Sequence, residues 1–140
     1  MRQKPALSHE DVLAIAAATR AEAQRNGWTV TLALVDDGGH PLYLERLEGA
    51  RANTVAVALG KARTSALLHA PSSGIAGRVK DNPALLKLDL MPMQGGLPLM
   101  CGTQCVGGIG VSGVQAHQDE QCSAAGTAVL EKIWNSFQSA

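Results

Sequence analysis

The segment VDDGGHP, residues 35–41, brings a carboxylate and an imidazole within a few residues of each other. Asp36 ends a stretch that is typical of a buried strand, and His40 lies on the turn that follows. A carboxylate at that position can act as a base, or it can accept hydrogen bonds from the amides of the turn. An imidazole there can bind a metal ion, or it can simply be exposed to solvent. The residue types leave both pairs of alternatives open.

Two cations lie beside apolar stretches of the sequence. Arg46 belongs to the strand-like segment after the turn, and Lys61 lies among small residues at the margin of a predicted helix face. Each can hold the carboxylate of a substrate. Each can equally form an ion pair with Asp36, Glu45 or Asp119, so the pattern predicts either an anion site or internal pairing.

Two glycine-rich segments follow in the second half of the chain. In QGGLP, residues 94–98, paired glycines can turn their amides toward an anion or a carbonyl, or can form a simple turn before a strand. In VGGIGVSG, residues 106–113, four of eight strand-like residues are glycine. Glycines in a strand indicate either tight packing against a helix or a ligand pressed against the backbone. Neither segment matches a phosphate loop or a dinucleotide-binding fingerprint.

The composition excludes several classes of function. Lys plus Arg equals Asp plus Glu at 12 each, which argues against a nucleic-acid-binding surface. The three cysteines show no CxxC spacing and the four histidines no metal-site spacing, so we expect neither a disulfide framework nor a metal site. No apolar leader or membrane-length apolar run occurs, so we expect a cytoplasmic protein with no membrane association.

The hydrophobic pattern predicts a single α+β domain over residues 1–140, with one antiparallel sheet covered by helices. Ser8 is a suitable N-cap for the first helix and Gly27 is placed to end it. The segment 70–96 is expected to hold one or two short helices and a long loop. The predicted helices cover residues 8–27, 52–69 and 117–137, and the predicted strands cover residues 28–36, 42–48, 97–100 and 105–113.

Five segments in order resemble the GlcG/HbpS-like family, also called the haem-degrading domain family. They are ALVDDGGHPLYLERLEGA, ALGKARTSA, MQGGLPL, VGGIGVSG and QDEQCSAAG, within a resemblance that covers residues 7–132. The family includes the C-terminal domain of PduO-type proteins. The resemblance implies a profilin-like α/β sandwich, with a central antiparallel sheet flanked by helices. It also implies a homo-oligomer, a dimer or larger.

Relatives are linked to haem or to the catabolism of small oxygenated compounds, and the resemblance leaves three alternative functions open. The first is binding of haem as a candidate cofactor, alone or with slow degradation of the haem, and with His40, His117 or a methionine as axial ligand. The second is a cofactor-independent lyase or isomerase acting on a small anionic catabolite. The third is a non-catalytic oligomeric accessory protein.

The family pattern also suggests a pocket between the hairpin after Asp36, the Lys61 face of its helix and the Gly95–Gly96 loop, formed within one chain or completed by another subunit. Arg46 or Lys61 would hold an anionic group, and His40 or Asp36 would move a proton. The amides of Gly95 and Gly96 would face an oxygen of the ligand. The candidate catalytic residues are Asp36, His40 and Lys61, and the candidate ligand-binding residues are Arg46, Gly95, Gly96 and Asp119.

Overall fold

The computed structural model describes residues 1–140 and contains four strands and four α-helices. The strands are β1 (Thr31–Asp36), β2 (Pro41–Arg46), β3 (Gly96–Cys101) and β4 (Gln104–Ser112). The helices are α1 (His9–Arg25), α2 (Thr54–Leu68), α3 (Ile75–Asp81) and α4 (Ala116–Ser139). Their order along the chain is the one that the hydrophobic pattern predicts. The segment 70–96 contains α3 and two 3₁₀ helices, Ser72–Gly74 and Pro83–Leu88, so it holds more helix and less loop than the sequence predicts.

The strands form one antiparallel sheet in the order β2-β1-β4-β3. Helix α2 packs on one face of this sheet, and α1 and α4 pack together on the other. Because β1 and β4 are central and covered on both sides, nearly all of their residues are buried. This arrangement confirms the predicted α+β sandwich with a central antiparallel sheet. No helix combines the length and the apolar character that crossing a membrane requires.

Helix α1 begins at the predicted cap. The amide of Asp11 donates to Ser8 Oγ at 3.1 Å, and the amide of Ser8 donates to Asp11 Oδ2 at 2.8 Å. This reciprocal capping box satisfies two amides that a helix start otherwise leaves without partners. The helix ends just before Gly27, as the sequence predicts.

A two-residue turn joins β3 to β4 between Cys101 and Gln104. Gly102 has a φ of +62°, whereas Thr103 keeps a negative φ. A type II′ turn needs positive φ at its first central residue only. The predicted type II′ hairpin is therefore consistent with these backbone angles.

The glycines of β4 allow α2 to lie directly on the strand backbone. A Cβ atom on Gly108 would lie 2.1 Å from the carbonyl oxygen of Ala62, and one on Gly110 would lie 2.2 Å from that of Ala58. No side chain fits between the two backbones, and the helix presents alanines along this contact. Of the two explanations for VGGIGVSG, close packing against a helix is the one that the structure contains.

We predict that Gly108→Ala destabilises the fold by about 3 kcal/mol, because the new methyl group must push the α2 backbone away from β4. Gly77→Ala is the matched control, since a Cβ there meets nothing within 4 Å and alanine favours a helix. Urea unfolding of both variants measures the difference. A loss below 1 kcal/mol for Gly108→Ala would contradict the described contact between helix and strand.

Candidate functional site

Lys61 and Asp119 form a buried ion pair between α2 and α4. Lys61 Nζ donates to Asp119 Oδ2 at 3.0 Å and to the carbonyl oxygen of Val111 at 2.9 Å. The two side chains are only 2% and 4% exposed. Of the two alternatives for Lys61, an anion site or internal pairing, the structure contains internal pairing, with Asp119 as the partner.

Asp119 lies in the first turn of α4, where the free amides and the helix dipole favour a negative charge. Its Oδ1 atom also accepts a hydrogen bond from the amide of Val114 at 3.1 Å. Burial raises the pKa of the Asp119 carboxyl above its usual value, although the Lys61 ammonium and the amides of Val114 and Gly113 oppose that rise. The carboxylate thus depends on its hydrogen-bond donors to stay ionised in this setting.

Gly95 and Gly96 enclose the ion pair from the side of β3. A Cβ on Gly95 would lie 2.7 Å from Lys61 Nζ, and one on Gly96 would lie 2.3 Å from the Lys61 carbonyl oxygen. The amide of Gly96 donates to Ser72 Oγ at 2.8 Å, and the carbonyl of Gly95 accepts from Ser123 Oγ at 2.7 Å. The Gly96 amide and the Gly95 carbonyl therefore both have hydrogen-bond partners within the chain.

Three serines of this cluster were not among the residues selected from the sequence: Ser65, Ser72 and Ser123. Ser65 follows Lys61 by four positions, and Ser123 follows Asp119 by four, so each lies on the same helix face as the ion-pair residue before it. That spacing is a signal that could have identified both. Ser72 lies in the loop, where no periodicity indicates its direction. Ser65 Oγ is buried and has no hydrogen-bond partner.

Asp36 and His40 lie on the hairpin between β1 and β2. Asp36 Oδ1 accepts hydrogen bonds from the amides of Gly38 and His40, each at 2.9 Å, and the His40 side chain is exposed. The hairpin contacts α2 through Gly39 and Arg63, on the flank away from Gly95 and Gly96. Helix α2 therefore separates Asp36 and His40 from the ion pair.

Arg46, the remaining candidate, is exposed at the end of β2. Its Nε atom donates to the carbonyl oxygen of Ala50 at 2.8 Å, which closes the loop after the strand. The neighbouring Glu45 accepts from Arg20 at 2.8 Å, and this hydrogen bond lowers the pKa of the Glu45 carboxyl. Within one chain, the structure brings Lys61, Gly95, Gly96 and Asp119 together and leaves Asp36, His40 and Arg46 apart from them.

An open cleft lies on the face of the sheet opposite α2, between the segment 3–8 and the C-terminal half of α4. We call it the terminal cleft; its volume is about 590 Å³. Its lining is mostly apolar, which is typical of sites for small organic ligands. It is lined by Gln3, Lys4, Pro5, Ala6, Leu7, Ser8, Asp11, Cys101, Leu130, Ile133, Trp134 and Phe137.

An aromatic pair forms part of the α4 wall of the terminal cleft. The rings of Trp134 and Phe137 stack with centroids 5.8 Å apart and planes 18° from parallel, and Phe137 is 72% exposed. Cys101 contributes a thiol to the lining, and burial raises the pKa of that thiol, with a smaller effect from Asp11.

All four histidines are exposed and lie outside the terminal cleft, among them His40 and His117. The structure contains no group of three or more His, Cys, Asp or Glu side chains that could hold a metal ion. A ligand in the terminal cleft would therefore meet apolar surface, a thiol and Lys4 rather than an imidazole.

We predict that Lys61→Met destabilises the protein by about 3 to 5 kcal/mol, because it leaves the Asp119 carboxylate buried without its cation. The double variant Lys61→Met/Asp119→Asn should be more stable than Lys61→Met, since neither charge then remains. Lys132→Met, at an exposed position of α4, is the control and should change stability by less than about 0.5 kcal/mol. A double variant no more stable than Lys61→Met would contradict this pairing in urea unfolding.

The chain is similar to known proteins over nearly its whole length. Residues 7–128 match the family model described as haem degrading protein HbpS-like. Protein GlcG of Escherichia coli K12 is 37% identical over 134 residues, which cover 94% of this chain and all of GlcG.

Solved structures share the fold. A double mutant of Streptomyces reticuli HbpS superposes with a TM-score of 0.87 at 33% identity, over 93% of this chain and 90% of that one. The heme complex of PduOC has a TM-score of 0.82 at 23% identity, over 89% and 95% of the two chains, and at that identity it supports the fold only. With the family model covering most of its length, this chain belongs to the HbpS-like family.

Proposed function

We propose that this protein binds haem in the terminal cleft. The observation that carries the proposal is the cleft itself, whose volume of about 590 Å³ and apolar lining suit a flat, largely hydrophobic ligand. Further support comes from the description of its family as haem degrading. The heme complex of PduOC is an instance of a protein with this fold that holds haem.

The side chains of the terminal cleft are chemically suited to this ligand. Leu7, Ile133 and Trp134 offer apolar surface for a macrocycle, and Lys4 offers a cation for a propionate. Cys101 is the only sulfur or imidazole donor in the lining, so it is the residue that we assign to the iron. Iron binding would displace the proton that burial otherwise retains on this thiol. Haem bound there would supply a redox-active iron.

The alternative enzyme, a cofactor-independent lyase or isomerase, would use Lys61 to hold an anionic substrate. Because Lys61 Nζ is bonded to Asp119 and enclosed by Gly95, this function requires the contact between β3 and α4 to open. Conversion of a small carboxylate that is lost in Lys61→Met, in a folded protein that still binds haem, would favour the enzyme. An oligomer with neither haem binding nor turnover would favour the accessory role.

We predict that haemin titration gives a saturable, near-stoichiometric Soret band, and that Phe137→Asp weakens binding about tenfold or more. The new carboxylate lies at the mouth of the terminal cleft, where it removes stacking surface and repels the propionates. Ser136→Asp is the matched control, because it adds the same charge on the exposed side of the same helix, outside the cleft lining.

The same titration separates the candidate iron ligands. Cys101→Ala should change the position of the Soret band, whereas Cys105→Ala should not, because Cys105 Sγ faces α2 on the other side of the sheet. His40→Ala and His117→Ala should leave the band unchanged. Loss of the band in either histidine variant would contradict the terminal cleft as the binding site.

We propose that the homo-oligomer implied by the family forms through the edge strand β2. The outer edge of β2 is unpaired, and its Leu42 and Leu44 are 41% and 40% exposed. The other edge strand, β3, carries Pro98, which cannot donate a hydrogen bond to an added strand. A second copy can place its own β2 antiparallel to the first across a two-fold axis and cover the leucines.

We expect Leu44→Glu to convert the oligomer to smaller species, because the interface would bury a charge without a partner. Light scattering after size-exclusion chromatography measures the mass of each variant. Leu13→Glu is the matched control, since Leu13 is 44% exposed on α1, on the other face of the sheet. A monomeric wild-type protein, or an oligomer unaffected by Leu44→Glu, would contradict this interface.

A further inference from the structure

A polar recess of about 420 Å³ adjoins the terminal cleft. It is lined by Arg2, Gln3, Lys4 and Gln104, and it shares Gln3 and Lys4 with the cleft. The recess therefore carries two cations and no acidic side chain in its lining. A molecule that spans both spaces meets apolar surface on one side and positive charge on the other.

The terminal cleft has one carboxylate in its lining, that of Asp11. This carboxylate accepts a hydrogen bond from the amide of Ser8 in the cap of α1. Asp11 lines the cleft and not the recess, so an anionic group of a ligand is repelled beside Asp11 and attracted in the recess, beside Arg2 and Lys4. The charges thus favour one orientation, with the acidic part of the ligand toward the recess.

Lys4 already has an internal anionic partner. Its Nζ atom pairs with Asp37 Oδ2 on the hairpin between β1 and β2, and this hydrogen bond is the main reason why the pKa of the Asp37 carboxyl lies below its usual value. The side chains are 58% and 41% exposed, so solvent screens the pair and it contributes little to stability. Arg2 forms no ion pair. A ligand carboxylate can therefore replace Asp37 at Lys4 at small cost.

We propose that Arg2 and Lys4 select ligands that carry a carboxylate beside a flat apolar body, and that Asp37 competes with that carboxylate for Lys4. This inference rests on the proposed binding at the terminal cleft and adds the class of ligand and an internal competitor. It makes Asp37 a residue that lowers affinity for acidic ligands and leaves affinity for neutral analogues unchanged.

The test compares protoporphyrin IX, which has two carboxylates, with its dimethyl ester, in titrations followed by porphyrin fluorescence. Lys4→Gln should weaken binding of the diacid about fivefold, and Asp37→Asn should strengthen it by a similar factor, because Lys4 is then free. Arg2→Gln should weaken it in the same direction as Lys4→Gln. The ester should bind all variants equally. Lys80→Gln, an exposed change on α3, is the control for overall charge.

Equal effects of Lys4→Gln on the diacid and the ester would overturn the selection of carboxylates. Weaker or unchanged diacid binding in Asp37→Asn would overturn the competition. Binding of both porphyrins that none of these variants alters would leave the terminal cleft as a site and reject the inference. Binding of neither porphyrin by the wild-type protein would contradict the proposed function, and the inference with it.

Discussion

The backbone contact between α2 and β4 is the constraint on which the rest of the molecule depends. Gly108 and Gly110 bring the helix so close that even one methyl group on either residue would overlap a carbonyl oxygen of α2. Interiors packed this closely leave no room for a ligand. The same approach places Lys61 against β3 and β4, where Asp119 and the carbonyl of Val111 are its available partners. The glycine-rich face of β4 is therefore covered by α2, and the Lys61–Asp119 ion pair lies at the edge of this contact.

The opposite face follows a different packing rule. Large aliphatic side chains from β1, β3 and β4 fill the space under α1 and α4. Near the C-terminal end of α4 this core gives way to the terminal cleft, and the segment 3–8 forms the facing wall. Apolar surface that the chain does not cover itself is thereby left at one end of the sandwich, next to Arg2 and Lys4.

Local signals in the sequence predict the helices, strands and turns well, but they do not predict which residues pair over long distances along the chain. The capping box at Ser8, the helical spacing around Ala58 and Ala62, and the turn at Gly102 each depend on residues a few positions apart. The partner of Lys61 lies 58 residues away, and Asp36 and Glu45 are equally plausible by residue type. Within one chain, α2 lies between Asp36 and Lys61, and their spacing along the sequence does not indicate this. The terminal cleft joins residue 3 to residue 137, which no local pattern indicates.

The most direct test of this account is amide chemical-shift mapping of the protein with protoporphyrin IX, which contains no paramagnetic iron. Binding in the terminal cleft predicts that the largest shifts fall in residues 3–8 and 130–137, on its two walls. The glycine-rich segment at Gly108 and Gly110 and the Gly95–Gly96 loop should be unaffected, because they lie against α2. The largest shifts in those glycine-rich segments would contradict the account, since they would require a ligand where the two backbones are in contact.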